Sequence, residues 1–296
     1  MHEHPINNYK GQLKHITWIG VIVNVFLSSL KITVGILGNS HAVFADGVHS
    51  LSDLATDFTV LVGVDVWMKK PDEEHPYGHG LIENFITLIV GIVLFFIGVL
   101  IGYRAIISLK DMAYHHPEWV AFWAAFLSIV FKEILYRKTM IVAKRIKSSA
   151  LAANAWHHRT DALSSIPVVI AVCIAIVKPG WGFIDDIGAV IVSVFIIYAG
   201  SSIIKGPLDV FIGRGCEEKT KQNLYDIALS VKGVRSAHKL RTRIMGTHVL
   251  ADLHILVDPN ISVKQGHDIS EEVKKELVKK IDDLVDVIVH IEPYED

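Results

Sequence analysis

Two four-residue spacings set the chemistry open to this 296-residue chain. His49 and Asp53 stand at i and i+4 within Ala45-Asp-Gly-Val-His-Ser-Leu-Ser-Asp-Leu-Ala-Thr-Asp57. His157 and Asp161 repeat that spacing within Asn154-Ala-Trp-His-His-Arg-Thr-Asp161. On a helix this puts an imidazole and a carboxylate one turn apart on one face. Both stretches belong to long apolar segments, where ionisable side chains are costly and mark function by default. Two such pairs on two helices can bring two imidazoles and two carboxylates to one point. That donor set suits a divalent transition ion, Zn²⁺ foremost, with Fe²⁺, Co²⁺, Cd²⁺ and Mn²⁺ also compatible. The carboxylates neutralise the ion, and the same four groups take protons when it leaves, so metal can be exchanged for H⁺. A single His–Asp pair would be an ordinary buried hydrogen bond; the repetition carries the reading.

Neighbouring polar residues read more plainly. Asp46 and Asp57 lie about one turn on either side of the first pair and read as flanking or structurally paired groups. His158 points about 100° away from His157 and reads as packing. Lys132 and Glu133 read as a couple paired with each other or facing the membrane interface.

These side chains need helices that cross a bilayer. The chain is 51% hydrophobic and 20% charged, with a mean hydropathy of +0.40. The charge is unevenly spread: 29 of the 60 Asp, Glu, Lys and Arg residues fall in the last 89. Long apolar segments at about 15–37, 41–67, 85–108, 118–136, 162–178 and 184–207 each approach the roughly 20 residues that span hydrocarbon. The fifth begins earlier, near Ser148, as a continuous helix through Ala150–Ala155. The polar first 14 residues and the long run after them predict no cleavable leader. Lys10, Lys14, Lys69, Lys70 and the cluster Arg137–Lys147 lie on one side of the spans, against Lys110, Lys178 and Arg104 on the other. Positive-inside counting places both termini in the cytoplasm. The expected domains are a six-helix membrane part, 1–207, and a cytoplasmic part, 208–296.

The tail reads as a two-layer α/β module of order αββαβ: a helix over Glu217–Ser230, strands over Val234–Arg243 and Val249–Val257, a helix over Ser262–Ile281 with Ser262 as N-cap, and a strand over Val285–Ile291. Its 16 acidic and 13 basic residues offer no basic face for nucleic acid. Cys173 and Cys216 lie in different segments and form no CxxC pair, so neither a thiolate metal site nor a disulfide scaffold is supported. Sixteen histidines are the compositional anomaly. Between spans two and three, Asp72-Glu-Glu-His-Pro-Tyr-Gly-His79 offers Asp72, His75 and His79 as further ligands.

With these residues in place, the chain resembles the cation diffusion facilitator family, particularly its bacterial zinc/iron efflux branch. The resemblance covers nearly the whole length: six spans, HxxxD in spans two and five, the His-bearing loop and the tail. It implies a homodimeric metal²⁺/H⁺ antiporter of the bacterial inner (plasma) membrane, working by alternating access, with a metallochaperone-like tail that senses cytosolic metal. It implies a transport site of His49, Asp53, His157 and Asp161, and a loop site of Asp72, His75 and His79. For the tail it implies a cluster of His238, His254, His267 and His290 with Glu292, where relatives have Asp. His49, which is Asp in many relatives, points to zinc rather than manganese. Of the family's charged dimer interlock, Leu81 stands at the first position here and Gly213 near the second.

Two other classes remain for comparison. An intramembrane metal hydrolase needs a general base of the HExxH kind, and no HExxH occurs. A membrane sensor or assembly protein would bind divalent metal with the same ligands and move none. No organic cofactor is expected.

Overall fold

A computed structural model describes residues 5–51, 54, 69, 71–112, 116–146, 149–178, 180–246 and 248–295. The chain divides into two compact units, Met1–Phe58 with Val90–Ser202, and Thr59–Ile89 with Ile203–Asp296.

The first unit is helical. Its elements are α1 (Pro5–Leu37), α2 (helical at 41–51 and at 54 among the described residues), the greater part of α3 (Leu81–Lys110), α4 (Trp119–Ile146), α5 (Ser149–Ser164), α6 (Ile166–Val177) and most of α7 (Phe183–Phe211). Among the described residues five segments are long and apolar enough to cross a membrane. The remaining expected span, 41–67, lies mostly outside the described residues. Small residues fill the helical core: Ala42, Ala45, Ala105, Ala121, Ala125 and Ala189 are almost fully buried. Small side chains let helix backbones approach closely, which is how helices associate where lipid removes the hydrophobic drive. Large apolar groups face outward instead, Phe96, Tyr103, Trp123 and Tyr198 each more than half exposed.

The start of α2 is fixed by an acid pair at the head of α7. Asp185 accepts from Ser40 Oγ at 2.6 Å, from the His41 N–H at 2.6 Å and from the Ala42 N–H at 3.3 Å. A carboxylate on the free N–H groups of a helix N-terminus satisfies donors and complements the helix dipole. Beside it, Asp186 meets His41 Nδ1 at 2.6 Å and accepts from Ser108 Oγ at 2.8 Å. This anchorage holds α2, and with it His49, against α3 and α7.

The fifth span departs from the expected continuous helix. It breaks at Ser165 into α5 and α6, with Pro167 in the first turn of α6. Proline donates no N–H and its ring collides with the carbonyl four residues back, so an unbroken helix is costly there. Both residues of the HxxxD pair therefore sit on α5, the longer and less apolar half.

The second unit contains α8 (Glu218–Ser230), β1 (Ser236–Met245), β2 (His248–Val257), α9 (Val263–Lys280) and β3 (Leu284–Pro293), the expected αββαβ order. β1 and β2 run antiparallel, β2 and β3 parallel, in the order β1-β2-β3. Leu253, Ile255 and Val287 point to one face, where Leu224 of α8 and Val273 and Leu277 of α9 cover them completely or nearly so. Ser262 caps α9 as expected. Its hydroxyl accepts the Gln265 N–H at 3.2 Å while Gln265 Oε1 accepts the Ser262 N–H at 2.8 Å.

Candidate metal centres

Within the helical unit, Asp161 of α5 is 6% exposed. His157, one turn earlier, places Nδ1 3.8 Å from Asp161 Oδ1, so the i, i+4 spacing brings the two groups together as expected. His49 is half-buried on α2. Asp53 and Asp57 lie outside the described residues.

The structure adds two cations to this region. Lys132 of α4, 2% exposed, reaches Asp161 Oδ2 at 3.3 Å and donates to Ser50 Oγ at 3.3 Å. Since one ammonium touches both Ser50 of α2 and Asp161 of α5, His49 and Asp161 lie on helices that meet at this level. Lys31 of α1, fully buried, donates to Asp46 Oδ2 at 3.0 Å and to Ser50 Oγ at 2.6 Å. Ser165 Oγ completes the circuit, donating to Asp46 Oδ1 at 2.9 Å. Asp46 is thus structurally paired, the second of its two expected roles.

The expected Lys132–Glu133 couple does not form. Glu133 accepts from Arg137 Nε at 2.7 Å and lies 3.9 Å from Arg159 Nε. Consecutive helical residues point about 100° apart, so the two cannot share a face. Lys31 escaped the sequence reading because histidines and carboxylates were weighed there and a lone lysine was not. The signal was present: the cost of burying an ionisable group applies equally to the lysines of Ser28–Leu37 and Ser128–Leu135. His158 is buried, as its packing role requires.

In the second unit the loop residues come together. Asp72 Oδ1 lies 3.3 Å from His75 Nδ1, Asp72 Oδ2 lies 3.4 Å from His79 Nε2, and the two rings stand 4.4 Å apart. The His75 N–H donates to Asp72 Oδ1 at 2.7 Å, and this bond chiefly holds the carboxyl below its usual range. The loop is seated on the β1–β2 turn. Tyr77 lies under the Arg243 guanidinium at 4.8 Å. A Cβ on Gly80 would fall 2.6 Å from Met245 O, and one on Gly246 2.5 Å from Gly80 O. The two backbones can therefore approach only because both residues are glycine.

The third group occupies the sheet face away from α8 and α9. The Glu292 carboxylate bridges two imidazoles, Oε2 to His238 Nε2 at 2.7 Å and Oε1 to His254 Nδ1 at 2.8 Å. His290 stacks on His254 with ring centroids 4.6 Å apart, and its Nε2 lies 3.8 Å from Glu292 Oε1. Strand alternation explains the set: His254, His290 and Glu292 take the parity opposite to Leu253, Ile255 and Val287. A bulge between His238 and Arg241, with Lys239 at φ 50°, keeps His238 opposite His254 while the rest of β1 shifts. Bonds from His254 first, then His238, pull Glu292 down to about 2. His267 does not join them. It is exposed on α9, which covers the opposite face of the sheet, so helix and cluster belong to different layers.

The ligand atoms of Asp72, His75 and His79, and those of His238, His254 and Glu292, lie within 4.8 Å of one another in each group. Such separations and mixed imidazole–carboxylate donors fit a divalent transition ion. Residues 17–211 match the family model of the cation efflux transmembrane domain, and residues 216–294 that of the cation efflux protein cytoplasmic domain. The chain is similar to the manganese efflux system protein MneP of Bacillus subtilis, 32% identical over 95% of this chain and 96% of that one. It is also similar to magnetosome protein MamM of Paramagnetospirillum magneticum, 32% identical over 90% of this chain and 84% of that one. A solved MamM C-terminal domain is 35% identical, covering 26% of this chain and 98% of its own, with a TM-score of 0.26.

Proposed function

This chain belongs to the cation diffusion facilitator family, whose members are transporters rather than enzymes, and on that premise we propose that it exports Zn²⁺ or a similar divalent metal in exchange for protons. The observation that carries the reading is Asp161, a carboxylate buried in a membrane helix with His157 one turn away. His49 and Asp53 supply the second half of the transport site. Its two imidazoles favour zinc, and one of them is His rather than Asp at position 49. A relative carrying the name manganese efflux protein makes Mn²⁺ the main competitor.

Each part has a role in the cycle. Asp161 and Asp53 neutralise the ion and His157 and His49 complete its coordination; protons replace it when the site opens outward. The break at Ser165 lets α5 carry its ligands as a separate segment from α6. The chain works as a homodimer in the bacterial inner membrane with both termini cytoplasmic. In the cytoplasm, metal held by His238, His254 and Glu292, with His290 alongside, signals that export is needed. Asp72, His75 and His79 form an auxiliary loop site.

The test is metal flux into proteoliposomes holding a trapped metal-sensitive dye, with and without a pH gradient. Zn²⁺ entry that scales with the gradient and vanishes in Asp161→Asn supports the antiporter. Flux of Mn²⁺ or Fe²⁺ in preference to Zn²⁺ replaces the cargo and keeps the mechanism. Binding of all three without flux replaces transport by a sensing or assembly role.

A further inference from the structure

The two buried lysines are held differently. Lys31 makes hydrogen bonds to Asp46 and Ser50, and Asp46 is also bound by Ser165, so that pair is tied on every side. Lys132 meets Asp161 at 3.3 Å without hydrogen-bond geometry, and Asp161 Oδ2 is buried with no hydrogen-bond partner among the described residues. The attraction is electrostatic and loosely oriented, while the ammonium keeps its own bond to Ser50. An isolated carboxylate in such a place would be very costly, and the ammonium offsets that cost.

We propose that Lys132 is the stand-in cation of the transport site: it occupies Asp161 while the site is empty, and incoming metal must displace it. The inference rests on the reading of Asp161 as a transport ligand. Charge counting gives the reason. Over the same groups, Asp53, Asp161 and Lys132 sum to −1 without the ion, and a divalent ion between the two carboxylates sums to zero once the ammonium has left. All of these together leave one uncompensated positive charge in a buried site. Metal and ammonium therefore exclude each other at Asp161, and the lysine withdraws toward Ser50, which it already touches. When the ion departs, return of the ammonium compensates Asp161 again and resists rebinding. Lys132 thus sets affinity low enough for release, as a specificity-determining residue that competes with cargo and never ligates it.

The experiment is the metal dependence of Zn²⁺ flux in proteoliposomes of the full chain, or of Mn²⁺ flux if that is the cargo. Lys132→Gln removes the charge and keeps a donor for Ser50. It should lower the half-saturating metal concentration on the order of tenfold or more, and lower the maximal rate because release slows. Lys132→Arg should act in the opposite direction, since guanidinium grips a carboxylate in a fork and is harder to displace, raising half-saturation several-fold. A structural role alone would reduce the maximal rate in both without moving half-saturation in opposite senses. Unchanged half-saturation in both variants, or a rise in Lys132→Gln, overturns the proposal. Should Lys132→Gln fail to assemble, an unchanged or lower value in Lys132→Arg overturns it alone. Asp161→Asn separates the premise: if it transports like the wild type, the site assignment is wrong, whereas loss of flux there with no lysine effect refutes only Lys132.

Discussion

Replacing Gly246 by alanine tests how the loop that carries Asp72, His75 and His79 is held. Gly246 has φ 63°, and a Cβ there would fall 2.5 Å from Gly80 O and 2.9 Å from Gly80 C and Cα. Two costs add. A left-handed backbone on an L-residue costs about 1–2 kcal/mol, and overpacking against a backbone that cannot rotate away costs about 1–3 kcal/mol. The sum is about 2–5 kcal/mol, enough to lift the loop off the β1–β2 turn rather than compress it. His79 follows Gly78 and adjoins Gly80, so its ring would leave Asp72, now 3.4 Å away. The His238–His254–Glu292 group sits at the other end of the same hairpin and should keep its metal. The assay is metal binding to the purified full chain, with Asp72→Ala as the loop reference and Glu292→Ala as the tail reference. We expect Gly246→Ala to lose the component that Asp72→Ala loses and to retain the component that Glu292→Ala loses. Wild-type binding by Gly246→Ala with an unchanged thermal unfolding temperature would refute the seating of the loop and the reasoning built on it.

Three further outcomes follow from the same geometry. Ser165→Ala removes a buried hydrogen bond to the charged Asp46 and should cost about 1.5–3 kcal/mol, read as a lowered unfolding temperature in detergent; no change would show that Ser165 does not tie α5 to α2. Glu292→Ala removes the carboxylate shared by His238 and His254, and should weaken tail metal binding at least tenfold, by titration calorimetry; equal binding would remove Glu292 from the site. Asp258 is held below its ordinary value of 3.8, first by the Asn260 N–H and then by the Arg235 guanidinium. A depressed folded value means stability that is present above 3.8 and is lost as pH falls through the folded value. Asp258→Asn should therefore flatten the acid limb of unfolding temperature against pH below about 4, and an unaltered limb would refute the pairing.

Spacing made the His157–Asp161 pair legible, because a four-residue repeat fixes relative direction on a helix whatever surrounds it. Strand alternation and the Ser262–Gln265 cap made the tail legible for the same reason, each being a local rule. What escaped depended on partners distant in sequence. Nothing near Lys31 says that Asp46 and Ser50 will face it, and Glu133 beside Lys132 is a neighbour in sequence that is not one in space. His267 matched by residue type, yet membership of the cluster is decided by which side of a three-stranded sheet a residue occupies. The division of the fifth span was available from Pro167 and was missed because the flanking apolar run reads as one helix.

The joined charges of the helical unit bear on how the chain is made. Lys31, Asp46, Lys132 and Asp161 belong to four different spans, and each would cost about 2.5–3.5 kcal/mol if its helix met lipid alone. Each lysine precedes its partner, Asp46 answering Lys31 15 residues later and Asp161 answering Lys132 only when the fifth span emerges. The cost of placing Lys132 in the bilayer is therefore offset only once the fifth span is present. The pairs Lys31–Asp46 and Lys132–Asp161, tied through Ser50 and Ser165, make these four helices less costly to place in the bilayer together than one at a time.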